Sequence, residues 1–72
     1  MVNKSSPVQK KFGERVRKIR IKVGISQEQL GFETGLDRTY ISGIERGTRN
    51  PTLKIISKIA KALKVSASDL MK

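Results

Sequence analysis

The stretch of residues 26–50, SQEQLGFETGLDRTYISGIERGTRN, decides the fold of this chain. It opens on Ser26 in a Ser-x-x-Gln pattern, which is typical of a capping box at the start of a helix. Gly35 tolerates the left-handed backbone of a tight turn, and Asp37 is a preferred cap for the helix that follows. Gly47 marks the end of that helix. The stretch therefore predicts two short helices joined by a tight turn.

The sequence before this stretch predicts a short tail and one long helix. Residues 1–6 are predicted to be a flexible basic tail, and residues 7–72 a single domain. Ser6 is placed to cap the helix, a proline follows at its first position, and Gly24 ends it. At about 100° per residue, one face of this helix carries the apolar side chains of Val8, Phe12, Val16, Ile19 and Val23.

The sequence after the stretch predicts a fourth helix and a short fifth one. Thr52 is the predicted cap of a helix that runs from Leu53 to Leu63. One face of that helix carries Ile56, Ile59, Ala60 and Leu63. Ser66 opens a further capping box, followed by one or two helical turns around Leu70. No strand-like alternation extends beyond a few residues, so the predicted fold class is all-α, with five helices.

The composition excludes several classes of protein. A length of 72 residues allows one domain with a small core. Cysteine and histidine are both absent, which excludes a disulfide framework, a zinc finger and any nucleophile or metal site built on those side chains. The six acidic residues are scattered and form no paired-carboxylate site. We therefore expect no enzymatic activity, no metal, no cofactor and no small-molecule ligand.

The charge of the chain indicates the kind of partner it binds. Sixteen lysines and arginines against six acids give a formal net charge of +10. This balance favours a nucleic acid, with an anionic membrane surface or an acidic protein as alternatives. No apolar run approaches the roughly 18 residues needed to cross a bilayer. We expect a soluble, cytoplasmic protein that does not enter a membrane.

The third predicted helix has two distinct faces. Ile41 and Ile44 point the same way and should pack inward. The other side carries short polar and basic side chains, which suit a helix that enters the major groove of double-stranded DNA: Arg38, Thr39, Ser42, Gly43 and Arg46. A glycine inside an exposed helix costs roughly 1 kcal/mol relative to alanine. Close approach of the backbone to DNA would explain Gly43, and the alternative is a neutral surface glycine.

Further polar residues flank this helix and extend the predicted surface. Gln27 lies at the start of the second helix, where its side chain and the backbone N–H groups can face a phosphate. Arg46, Arg49 and Asn50 could contact a second stretch of DNA backbone, although each arginine alone is more simply a solvated charge. The Tyr40 ring is expected to pack on Phe32 or Leu36, with its hydroxyl equally suited to DNA or to solvent.

Five segments of the chain carry a resemblance to a known family. They are FGERVRKIR at 12–20, SQEQLGFETGL at 26–36, YISGIERG at 40–47, RNPTL at 49–53 and IAKALKVSASDL at 59–70. In order and spacing, the sequence resembles the lambda-repressor-like, Xre-type helix-turn-helix family. It departs from the family at Gly31, where alanine is usual. The segment LDRTYISGIERGTRNPTL at 36–53 is particularly similar to controller proteins of restriction–modification systems.

The resemblance implies a compact five-helix domain and a role for individual residues. It implies DNA contact for Gln27, Arg38, Thr39, Ser42 and Gly43, and phosphate contact for Arg46 and Thr48. It also implies an internal ion pair between Arg20 and Glu45 that ties the first helix to the third. Family members of this size act as homodimers, and the candidate interface residues here are Ile55, Val65, Leu70 and Met71. Packing within the chain's own core is the alternative for each of these four.

The function that the resemblance implies is transcription regulation on a palindromic operator. A restriction–modification controller protein would regulate its own gene and the endonuclease gene. The alternatives are a phage-type repressor, an antitoxin that neutralises a partner protein, and a non-specific nucleic-acid or membrane-surface binder that uses the lysine-rich helices. Steep salt dependence without operator preference would favour the last of these.

Overall fold

The computed structural model describes residues 6–72, and within that range it consists of five α-helices and their connections. The helices are α1 Pro7–Val23, α2 Gln27–Thr34, α3 Arg38–Arg46, α4 Leu53–Leu63 and α5 Ala67–Leu70. The prediction of an all-α fold with five helices is confirmed. The predicted tail at 1–6 lies outside the described residues except for Ser6, which caps α1 by accepting a hydrogen bond from the backbone N–H of Gln9.

Each of the remaining helices begins at a polar side chain that the sequence identifies. Asp37 accepts from the backbone N–H of Thr39, and Thr52 likewise closes the first turn of α4. Ser66 forms a complete capping box at the start of α5. The box at Ser26 is half formed, because the Gln29 side chain turns away to donate to a carboxylate further along α2. The helix starts thus depend on local hydrogen bonds.

Both α2 and α4 end at a residue with a left-handed backbone, which is a glycine in α2 and a lysine in α4. Gly35 closes α2 with φ of 73°, the left-handed conformation that the turn into α3 requires. Lys64 closes α4 with φ of 61°, and it is the one non-glycine among residues 6–72 with a positive φ. Its position at the end of α4 allows the chain to turn towards α5.

The core lies between α1, α3 and α4 and is completed by single residues of α2 and α5. Its fully buried side chains are Val16, Leu30, Ile41, Ile44, Ile59, Leu63 and Leu70. The predicted apolar face of α1 is correct at its centre and wrong at its ends, since Val8 is 69% exposed and Val23 is 48% exposed. A helix of 17 residues is about 25 Å long, so its first and last turns extend beyond this small core.

Two glycines permit close contacts between backbone segments. A Cβ on Gly13 would overlap the carbonyl oxygen of Ile44 and lie 2.7 Å from that of Glu45, so α1 crosses α3 at this point. A Cβ on Gly31 would lie 2.6 Å from the carbonyl oxygen of Leu36. The alanine that is usual in the family would therefore need a shift of the turn in this chain. These two contacts set how α3 sits on its neighbours.

Candidate nucleic-acid interface

The turn between α2 and α3 is held by hydrogen bonds and by the core beneath it. The N–H of Leu36 donates to the carbonyl of Gly31 at 2.9 Å, and the Thr34 hydroxyl donates to the carbonyl of Leu30 at 2.8 Å. Leu30 and Ile41 are both fully buried, so each helix is anchored on its inner side. The outer side of α3 is consequently presented in a fixed orientation.

A buried ion pair joins α1 to α3. Nε of Arg20 lies 2.6 Å from Oε2 of Glu45, and Nη2 donates to Oε1 at 3.1 Å. The remaining nitrogen, Nη1, donates to the carbonyl of Ile25 at 2.8 Å, in the connection before α2. The Glu45 side chain is 2% exposed, and a bidentate guanidinium is the partner best able to satisfy a buried carboxylate. This pair fixes three segments of the chain relative to one another.

Gln27 is part of the same hydrogen-bond network. Its Nε2 donates to Oε1 of Glu45 at 3.0 Å, and the side chain is half-buried. The sequence predicts a phosphate contact for this residue, whereas the structure shows it in an internal role that holds the start of α2 near α3. Its backbone N–H, in the first turn of α2, is one of the groups that a helix leaves without an internal partner.

The outward face of α3 carries the side chains that the sequence assigns to it, with one exception. Arg38, Thr39 and Arg46 are exposed, and Ser42 is half-buried. Thr39, Ser42 and Arg46 fall within about 60° of one another around the helix axis. The Nε of Arg46 donates to Oγ of Ser42 at 3.4 Å. Because Ile44 on the opposite side is fully buried, these polar groups form the exposed surface of the helix.

The exception is Gly43, which is buried rather than exposed. A Cβ there would lie 2.6 Å from Cγ of Arg49 and 3.4 Å from Oγ1 of Thr48. The Thr48 hydroxyl also donates to the Gly43 carbonyl at 3.2 Å. The prediction of an exposed glycine is wrong because the chain after α3 folds back over this position, a contact that helical periodicity does not contain.

The segment after α3 presents three more of the predicted residues. Thr48, Arg49 and Asn50 are all exposed, at the same end of α3 as Arg46. The guanidinium carbon of Arg49 lies 5.7 Å from the centre of the Tyr40 ring, within the range of a cation–π interaction. Arg49 is thus held by contacts with both Gly43 and Tyr40.

The Tyr40 ring is half-buried and packs against the core, as does Leu36. The alternative partner proposed from the sequence, Phe32, is wrong: its side chain is 83% exposed and contributes nothing to the core. Phe32 points outward because Leu30 and Thr34 take the inner side of the short helix α2.

The candidate dimer residues divide into two groups. Leu70 is fully buried within its own chain, so its assignment to an interface is wrong. Ile55 and Val65 are partly buried against the core, and Met71 is 56% exposed. Leu53, the first residue of α4, is 83% exposed. A second chain would therefore contact the exposed or partly exposed apolar side chains, which are those of Leu53, Ile55, Val65 and Met71.

One residue with a structural role escapes the sequence analysis. Gly13 lies next to Phe12 on the buried face of α1, and a helix-interior glycine beside a core position is a signal of close packing.

In the described part of the chain, no helix is both long and apolar enough to cross a membrane.

Comparison with known proteins identifies several relatives. The helix-turn-helix family model matches residues 16–70. The control protein C.BamHI of Bacillus amyloliquefaciens is 59% identical over 61 residues, which cover 83% of this chain and 75% of that protein. The control protein C.SmaI of Serratia marcescens is 45% identical over 60 residues, which cover 83% and 71%. The crystal structure of the restriction–modification controller protein C.AhdI from Aeromonas hydrophila matches with a TM-score of 0.85 and 48% identity, and covers 86% of this chain and 94% of that one.

Proposed function

This chain belongs to the helix-turn-helix family, among the control proteins of restriction–modification systems, and we propose that it regulates transcription as a homodimer on a palindromic operator. Its targets are its own gene and the endonuclease gene. The observation that carries the proposal is the exposed polar face of α3, backed by a buried core and oriented by the Arg20–Glu45 pair. A helix with such a face fits the major groove of double-stranded DNA.

Within this proposal, the residues of α3 read bases and the residues around it contact phosphates. Arg38 stands at the start of the helix, exposed, where a guanidinium can bond to both acceptors of a guanine. Thr39 and Ser42 add short polar contacts on the same face. The phosphate contacts come from both ends of the motif: Gln27 through its backbone N–H, and Tyr40, Arg46, Thr48, Arg49 and Asn50 through their side chains.

Dimerisation follows from the size of the site that one such helix can read. One helix contacts only a few base pairs, and two helices related by a two-fold axis enter successive major grooves about 34 Å apart. We assign the contact between the two chains to Leu53, Ile55, Val65 and Met71. Their exposed or partly exposed apolar side chains support that assignment. We further propose that the protein acts in the cytoplasm and catalyses no reaction.

The test of this function is selection of bound fragments from random duplex DNA at a fixed salt concentration. We expect enrichment of a palindrome with half-sites about one helical turn apart. Enrichment of no sequence, with steep salt dependence, would indicate a non-specific binder and reject the proposal. Co-purification of an unrelated protein that abolishes selection would favour the antitoxin alternative.

A further inference from the structure

A groove runs along the outer side of α1, away from the surface assigned to DNA. It is open to solvent and has a volume of about 570 Å³. Its lining combines five cations, one carboxylate and one apolar side chain: Lys11, Glu14, Arg15, Arg17, Lys18, Ile21 and Lys72. The function proposed above uses none of these residues.

The direction of the groove follows from the point at which α1 crosses α3. Gly13 faces the carbonyl groups of α3 at that crossing. At about 100° per residue, the side chains of Lys11, Arg15 and Lys18 lie about 140–160° away from Gly13 around the axis of α1. These cations therefore point away from α3. The other lining residues of α1, Glu14, Arg17 and Ile21, lie about 40–100° from Gly13, so the groove covers a flank of α1 as well as its far side.

The positive charge of the groove is only partly compensated within the chain. Arg15 donates to the carbonyl of Asp69 at 2.9 Å, and the Lys72 ammonium lies 3.3 Å from the carboxylate of the same residue. The first contact holds α5 against α1, and the second is local to the end of α5. Neither of the ion pairs found between described residues includes Lys11 or Lys18. Glu14, three residues from Lys11 and four from Lys18, offsets part of this charge. The lining still holds five cations against one carboxylate, so an anionic partner stabilises the arrangement.

The apolar side chain in the groove indicates which kind of anion fits. Ile21 is 53% exposed and lies in the same lining as the lysines. A phosphate backbone satisfies cations but offers no apolar group to cover an isoleucine. An acidic peptide offers both a carboxylate and an apolar side chain within a few residues.

We propose that this groove binds an acidic segment of another protein. Carboxylates of that segment contact Lys11 and Lys18, and one of its apolar side chains packs on Ile21. Such a contact leaves the outward face of α3 free, so the protein can hold DNA and the acidic segment at once.

The experiment uses a fluorescein-labelled peptide in which leucine is flanked by glutamates, with binding followed by fluorescence anisotropy. Lys11→Glu/Lys18→Glu should weaken binding about tenfold at low salt, since two attractive contacts become repulsive. The matched control, Lys58→Glu/Lys61→Glu, makes the same charge change on α4 and should weaken binding less than about twofold. Ile21→Ser should also weaken binding while leaving the charge unchanged. A peptide with glutamine in place of glutamate should not bind.

Three results would overturn the proposal. Equal losses for the two charge-reversal pairs would mean that only net charge matters. Displacement of the peptide by random duplex DNA, together with a selective loss of DNA affinity in Lys11→Glu/Lys18→Glu, would make the groove a nucleic-acid surface. Self-association in sedimentation that this variant abolishes would make a second copy of the chain the occupant. Thermal melting of each variant by circular dichroism checks that the fold is retained.

Discussion

At the scale of single residues, the contacts of Arg49 change the role that we expect for Gly43. The glycine is covered by the Arg49 side chain and does not lie open on the DNA-facing surface. The same guanidinium lies over the Tyr40 ring. A cation that is already ordered loses less conformational entropy when it meets a phosphate. We therefore expect Gly43 to act on DNA through Arg49.

A double-mutant cycle tests this dependence. Gly43→Ala should displace Arg49, since the added Cβ would lie 2.6 Å from its Cγ, and should weaken operator binding. In an Arg49→Ala background the same substitution should have little effect, which gives a coupling of about 0.5–3 kcal/mol, as is typical of residues in contact. Anisotropy titrations of the four proteins measure it. Equal losses in both backgrounds would instead indicate direct contact between Gly43 and DNA.

At the scale of the helices, one close backbone contact and one capping box hold the elements in place. Gly13 lets α1 cross α3 at backbone distance, and a capping box closes the first turn of α5. The first contact supports the orientation of α3, whereas the second lies in the last helix. Substitutions at the two sites should therefore differ in extent, one affecting the whole domain and the other a single turn.

Gly13→Ala should destabilise the whole domain. The new methyl would overlap the carbonyl of Ile44, which is backbone and can move only with its helix. Overpacking of this kind costs about 1–3 kcal/mol. Urea denaturation followed by circular dichroism measures the change, with Glu14→Ala, at an exposed position one residue further along, as the control. A stability equal to that of the control would mean that α1 and α3 separate at no cost.

Acid should loosen the first turn of α5. Hydrogen bonds from the Ser66 backbone and side chain, and the nearby Lys72 ammonium, hold the pKa of Asp69 below its usual value. A carboxyl whose folded pKa is lowered stabilises the fold above its unfolded pKa, and that contribution disappears as the pH falls through the folded pKa. The protection factor of the Ser66 amide, which is the intrinsic exchange rate divided by the observed rate at the same pH, should fall in that range. Asp69→Asn should show fast exchange already at neutral pH, and unchanged exchange would rule out this role for the cap.

At the scale of the whole molecule, local signals and tertiary contacts were predictable to different degrees. Caps such as Asp37 and Thr52 were predicted correctly because a cap depends on its own few neighbours. The apolar faces of α3 and α4 were predicted correctly as well, since they follow from helical spacing. The burial of Gly43 was not, because it depends on how the chain returns after α3.

The assignment of Leu70 failed for a related reason. Its apolar side chain suits either an interface or a core, and only the fold shows that α5 turns it inward. The outward residues of α3 were identified correctly because their neighbours Ile41 and Ile44 are unambiguously buried. The sequence alone therefore identified most of the outward residues of α3, and the structure was needed to separate residues that face outward from residues that support them.

The central claim is that α3 reads base sequence through Arg38, while Arg49 contacts only the DNA backbone. The measurement is the affinity of Arg38→Ala and of Arg49→Ala for the selected operator and for a random duplex, at one salt concentration. Arg38→Ala should lose about 1–3 kcal/mol on the operator and much less on the random duplex, whereas Arg49→Ala should lose similar amounts on both. Equal losses of Arg38→Ala on the two duplexes would contradict the claim.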